Sequence, residues 1–208
     1  MKITAIKQQV KRQGRYSIFV EGKYSFSLGE TALLEQKLTL GQELDEFRIR
    51  ELKKLSEDDK IYNAALNYLA IRMRSKWEIE TYLTRKDASP ALIETILNKL
   101  SDINVLDDVK FAEAYIRDRR LLRPTSKRKL ILELRKKRIA TDVIQQAMAD
   151  EDNSQDTELA SLAEVISRKR RQTRYQDNTK LMQYLAGQGF NYGDIKAVLE
   201  ELEQQDQD

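Results

Sequence analysis

The sequence predicts a mainly α protein: tandem three-helix repeats in an elongated curved stack, preceded by a small N-terminal β-rich module. Three observations lead there. After residue 30, apolar side chains recur at helical spacing along most of the chain. That pattern then repeats in phase 51 residues on: Phe111, Tyr115, Leu130, Leu134, Ile139, Ile144 and Met148 are matched by Leu162, Ile166, Leu181, Leu185, Phe190, Ile195 and Leu199. The first 29 residues, in contrast, hold aromatic and β-branched runs on either side of a turn. A period of this length reads as helical units that bury their apolar faces on one another. It directs attention to a binding surface rather than to one enzyme pocket.

The β-rich module is predicted over 1–29. Residues 2–10 alternate loosely, and Tyr16 to Val20 and Tyr24 to Leu28 flank Glu21-Gly22-Lys23, where Gly22 can supply a positive φ. So small a sheet needs a helix on it, and Tyr16, Phe19 and Phe26 are expected partly packed there. Connecting helices are expected over 30–60: one from Glu30 to Lys37, a break at Gly41, and one from Glu43 to Leu55. Ser56 to Asp59 would cap the next helix.

The first repeat is predicted over 61–106. Ile79, Leu83, Ile93 and Leu97 lie 51 residues before Leu130, Leu134, Ile144 and Met148, while Tyr68 and Arg72 lie 47 before Tyr115 and Arg119. Ser75 and Glu78 have capping-box spacing, and Ser89-Pro90 starts the next helix. The second repeat, over 107–150, opens at Asp107-Asp108 and is broken and recapped at Pro124-Thr125-Ser126. An acidic joint is expected over 150–156. The third repeat, over 157–203, places Gly189 as a left-handed C-cap and leaves a frayed polar tail from Gln204.

Composition excludes several function classes. The chain has no cysteine and no histidine, which removes disulfides, thiolate nucleophiles, the commonest metal ligand and the usual acid–base residue. No glycine-rich nucleotide loop appears. The pairs Asp58-Asp59 and Asp107-Asp108 precede apolar helical patterns, so they are expected to cap helices rather than to hold metals. No catalytic residue, metal site or cofactor is expected, and a cytosolic, non-membrane monomer is the simple reading.

The net charge of +3 hides a segregation. From Arg117 to Arg138 there are eleven basic residues and two acidic ones, Arg168 to Arg174 adds five more bases, and Asp150 to Glu158 holds five acids and no base. A candidate binding face follows: Arg119, Arg120, Arg123, Lys127, Arg128, Lys136 and Arg138, extended by Arg168 and Arg171. Such a face suits phosphates or an acidic protein groove. The same residues would also serve plain solubility in a helical adaptor.

These residues resemble a known pattern. Leu106, Asp107, Asp108, Phe111, Ala112, Tyr115 and Arg119, followed by Leu130, Glu133, Leu134, Lys137 and Ile139, are similar to the RecX family of recombination regulators. SKWEIETYLTRKDAS and KLMQYLAGQGFNYGDIKAVL resemble its first and last helical units. The resemblance runs from about Asn63 to Leu202, and more weakly through the N-terminus. Arg138 stands where the family pattern has Gly. The resemblance implies binding to RecA protein and to the RecA–single-stranded DNA filament, along its groove, with a usually inhibitory effect on recombinase and coprotease activity. Direct DNA contact is compatible with it. The alternative from the residues themselves is a general nucleic-acid-binding helical module with no recombinase partner.

Overall fold

A computed structural model of the chain describes residues 1–10, 12–122, 125–151 and 155–205. The order is β1 (Ile3–Gln9), β2 (Arg12–Val20), β3 (Lys23–Gly29), α1 (Glu30–Glu35), α2 (Glu46–Ile71), α3 (Lys76–Thr84), α4 (Pro90–Asp102), α5 (Asp108–Leu122), α6 (Lys127–Lys136), α7 (Thr141–Glu151), α8 (Gln155–Arg170), a short 3-10 turn (Thr173–Tyr175), α9 (Asn178–Gly187) and α10 (Tyr192–Gln205). The protein is mainly helical, with tandem three-helix repeats behind a small β module. Two compact units form: Met1–Met73 with Ile79–Leu106, and Arg74–Glu78 with Asp107–Asp208.

In the first unit the strands pair antiparallel in the order β1-β2-β3. The β2–β3 turn has Glu21 at φ 48 and Gly22 at φ 77, the two left-handed residues of a type I′ hairpin. Ile3, Ile18, Val20, Phe26 and Leu28 face inward onto Leu38, Leu44, Ile49 and Leu52. Phe26 therefore packs as expected. Phe19 does not join this cluster, because neighbours on a strand point to opposite faces and Ile18 takes the inner one. The Phe19 ring instead stands edge-on to Tyr24 at 6.1 Å.

The expected helix break at Ser56 to Asp59 is absent. α2 runs unbroken for 26 residues, through the boundary placed at 60. Ser56 and Asp59 cap nothing and face the sheet. Ser56 donates to the Ser27 carbonyl at 2.6 Å, and Asp59 accepts from Arg15 at 2.8 Å and from the Gly29 N–H at 3.0 Å. The second half of α2 supplies Ala65 to another core with Ile79, Leu83, Ile93, Ile96, Leu100 and Leu106.

The second unit holds two three-helix cores. Phe111, Leu130, Leu134, Ile139 and Ile144 are buried in one, with Tyr115 and Met148 half-buried against it. All seven counterparts, Leu162 to Leu199, are buried in the other. Helix α7 extends through Glu151 and α8 starts at Gln155, so the expected acidic joint is helical at both ends; 152–154 lie outside the described residues. Gln204 and Gln205 continue α10 rather than fraying.

The repeat is also written in the backbone. Ser75, Ser126 and Asp177, 51 residues apart, accept the N–H of Glu78, Lys129 and Lys180 at 3.3, 3.2 and 3.2 Å. The same helices end identically: the N–H groups of Ala88, Ile139 and Phe190 return to the carbonyls of Leu83, Leu134 and Leu185. Asp87, Arg138 and Gly189 just before them are left-handed, at φ 58, 59 and 90.

Candidate functional site

Helix α6 is the centre of the basic segment. Its buried stripe, Leu130 and Leu134, leaves Arg128, Leu132, Arg135 and Lys136 exposed. Ser126 holds its start in two ways, capping the Lys129 N–H and donating to the Gln188 carbonyl at 2.7 Å. The Lys127 N–H donates to the Glu158 carboxylate at 3.0 Å, and Lys129 donates to the Gln188 side chain. The same contacts occur 51 residues earlier, where the Lys76 N–H donates to Asp108 at 2.8 Å and Lys137 pairs with Glu78 at 3.0 Å. One clasp, with different side chains, is thus used twice within the second unit.

Three adjoining clefts open around α6. The first, about 430 Å³, is walled by Arg119, Lys129, Glu133, Arg168, Lys169 and Tyr184. The second, about 400 Å³, sets Arg128, Leu132 and Lys136 opposite the turn at Gly187 to Gly189. The third, about 620 Å³, carries Lys127, Arg128, Phe190 and Tyr192, with Glu158 and Asp194. Lys129, Glu133 and Gln188 are common to the first two, and Arg128 and Gly189 to the last two.

Of the nine sequence-predicted residues, Arg119 and Arg168 meet in the first cleft, Arg128 and Lys136 in the second, and Lys127 and Arg128 in the third. Arg120 is half-buried, Arg138 and Arg171 are exposed, and none of these three lines a cleft described here. Arg123 lies outside the described residues. Sequence reasoning missed Lys129, Lys169 and Tyr184. The usable signal was phase: Lys129 lies 51 residues after Glu78, and Tyr184 lies 51 after Glu133, both on repeated helix faces.

Arg119 is not a simple free cation. Its guanidinium donates to the Tyr115 hydroxyl at 2.9 and 3.1 Å and pairs with Glu133 at 3.1 Å, while Tyr115 donates to Glu133 at 2.8 Å. Burial raises the Tyr115 pKa above the ordinary phenol value, helped by the Glu133 acceptor and opposed by Arg119. The bond to Tyr115 pushes Arg119 up in turn. Among the described residues no group of three or more Asp, Glu, His or Cys side chains is placed to hold a metal. Among them, too, no helix is long and apolar enough to cross a membrane.

Family models match four segments of the chain: the regulatory protein RecX N-terminal domain over 1–45, and the first, second and third three-helix domains of RecX over 62–100, 107–148 and 156–199. The chain belongs to the RecX family. RecX is described as a regulatory protein in its relatives. That of Bacillus subtilis is 30% identical over 204 residues, 97% of this chain and 77% of the relative. That of Listeria welshimeri is 31% identical over 200 residues, 95% and 74% of the two chains. A crystal structure of regulatory protein RecX superposes with a TM-score of 0.75 at 28% identity, covering 96% of this chain and 98% of the other. RecX from Lactobacillus salivarius gives 0.60 at 26%, covering 71% and 97%. This RecX-family chain is thus a regulatory protein by family, and its second and third three-helix domains meet at the clasp that borders the basic clefts.

Proposed function

We propose that this chain inhibits RecA recombinase and coprotease activity by binding the RecA–single-stranded DNA filament, with the basic side of its second unit as the contact surface. One observation carries the reading. Five of the basic residues singled out by charge pattern, Arg119, Lys127, Arg128, Lys136 and Arg168, line adjoining clefts around one helix. A groove of phosphates and carboxylates is the complement of such a surface. Family membership supports a regulatory role, and the lack of cysteine and histidine suits binding rather than catalysis.

The test is single-stranded-DNA-dependent ATPase and strand exchange by the cognate recombinase, titrated with this protein. Both rates are expected to fall, and unchanged rates with excess protein would refute the proposal. The other reading, a general nucleic-acid-binding module, draws support from the exposed Tyr192 ring beside Lys127 and Arg128. It requires tight binding to bare nucleic acid with a steep salt slope and no preference for the filament.

A further inference from the structure

The cleft between α5–α6 and α8–α9 contains a cation, Lys169, that belongs to the basic run from Arg168 to Arg174 but not to the candidate binding face. The Lys169 ammonium is half-buried and lies 4.5 Å from the Tyr184 ring centroid and 5.2 Å from that of Tyr175. The two rings hold it in place electrostatically. Ring faces offer no lone pair in the usual sense, and among the described residues no carboxylate or carbonyl accepts from it. Lys129, across the same cleft, donates only to the neutral Gln188 amide. The other charges nearby are settled: Arg119 pairs with Glu133, and Arg168 pairs with Glu164 on its solvent side at 2.7 Å. Two ammonium groups therefore face a space of about 430 Å³ whose lining carboxylate, Glu133, is already taken by Arg119.

We propose that this cleft binds the phosphodiester backbone of single-stranded nucleic acid, with Lys169 and Lys129 as its phosphate ligands. The donor chemistry favours phosphate over carboxylate. A side-chain carboxylate is matched best by the planar fork of a guanidinium, and both guanidinium groups here are already engaged, Arg119 by Glu133 and Tyr115 and Arg168 by Glu164. Two ammonium groups act as point charges, and they suit a chain that carries one negative charge per nucleotide. The inference rests on the filament reading only for the choice of single-stranded DNA as ligand.

The experiment is fluorescence anisotropy of a labelled single-stranded oligothymidylate with the full chain, without recombinase, across a range of salt concentrations. Lys169→Gln is expected to weaken binding about fivefold to tenfold and to lower the salt slope by about 0.7, the loss of one phosphate contact on a single strand. Lys169→Arg should restore most of the affinity. Lys196→Gln, on the exposed side of α10 and paired with Glu200, should match wild type. Unchanged affinity and slope for folded Lys169→Gln would overturn the proposal, as would an equal loss in Lys196→Gln. If Lys169→Gln loses its helical circular dichroism, Lys129→Gln decides in its place, since it removes the other proposed phosphate ligand and should also lower affinity and slope. Competition by a polyglutamate peptide as strong as by inorganic pyrophosphate would assign the cleft to carboxylates and overturn the phosphate assignment. A wild-type protein that ignores oligothymidylate yet inhibits the filament ATPase would sink this inference and leave the filament reading standing.

Discussion

Arg138 occupies a backbone conformation that the third repeat gives to glycine. Its φ of 59 matches Gly189 at 90 and Asp87 at 58, each at the end of a middle helix. For a residue with a Cβ this conformation costs roughly 1–2 kcal/mol. Arg138→Gly is therefore expected to raise stability by about 1 kcal/mol, part of the gain being offset by the freer unfolded chain, read as a higher urea midpoint. A lower midpoint would mean that the Arg138 side chain stabilises the turn. Gly189 differs again, since a Cβ there would meet the Ser126 hydroxyl at 2.7 Å and disturb the α6 cap. Asp108 offers a test with pH. Burial raises its pKa above the ordinary carboxylate value, opposed by the Lys76 N–H bond. Its ionised form is thus disfavoured on folding: the penalty is present at neutral pH and is relieved as pH falls through the raised value. Asp108→Asn keeps an acceptor for Lys76 and removes the charge. It should melt at or above the wild-type temperature at pH 7, with the gap closing in acid; a gap that widens as pH falls would reverse this account.

Among the elements, α2 has the widest role, for its two halves serve two cores of the first unit. The sheet is fixed to it by a buried pair, Arg15 and Asp59, whose side chains are 8% and 12% exposed. Arg15 also donates to the Ser27 hydroxyl and carbonyl, both at 3.0 Å. Removing one partner strands the other charge in a dry site, so Arg15→Met is expected to destabilise by about 3–5 kcal/mol. Adding Asp59→Leu to it should recover much of that loss. Denaturant midpoints of the two variants check the pair: if the double variant is no more stable than the single one, the stranded carboxylate is not the cause. Such a network explains why an unbroken helix replaced the expected break. Ser56 and Asp59 have the right chemistry for a cap, but no glycine or proline interrupts residues 46–71, and the sheet supplies better partners.

For the whole molecule, the proposed filament contact turns on which charges stay available. Arg128, Lys136 and Arg138 are exposed, and none belongs to a buried stripe. Changing all three to Glu should leave helical circular dichroism and melting nearly unchanged. It is expected to weaken inhibition of the recombinase ATPase by about tenfold or more, because attraction to an acidic partner becomes repulsion. Inhibition equal to wild type in a folded triple variant would remove this face from the working surface. Lys127 is best left in place, since its N–H already donates to the Glu158 carboxylate and a Glu there would set two acids together.

The sequence by itself determined the helical repeat, its phase and the residues that fill its cores. Those features are local periodicity, and a side chain's place on a helix face follows from its number in the chain. It also determined where basic charge is concentrated. Only the tertiary structure decided which of those charges are spent and which remain. Arg119 is held by Tyr115 and Glu133, Lys137 by Glu78, while Lys129 and Lys169 face one cleft from helices 40 positions apart in the chain. Pairing of that kind depends on distances through space, to which the spacing of residues along a chain gives no measure once the intervening helices have folded back on one another.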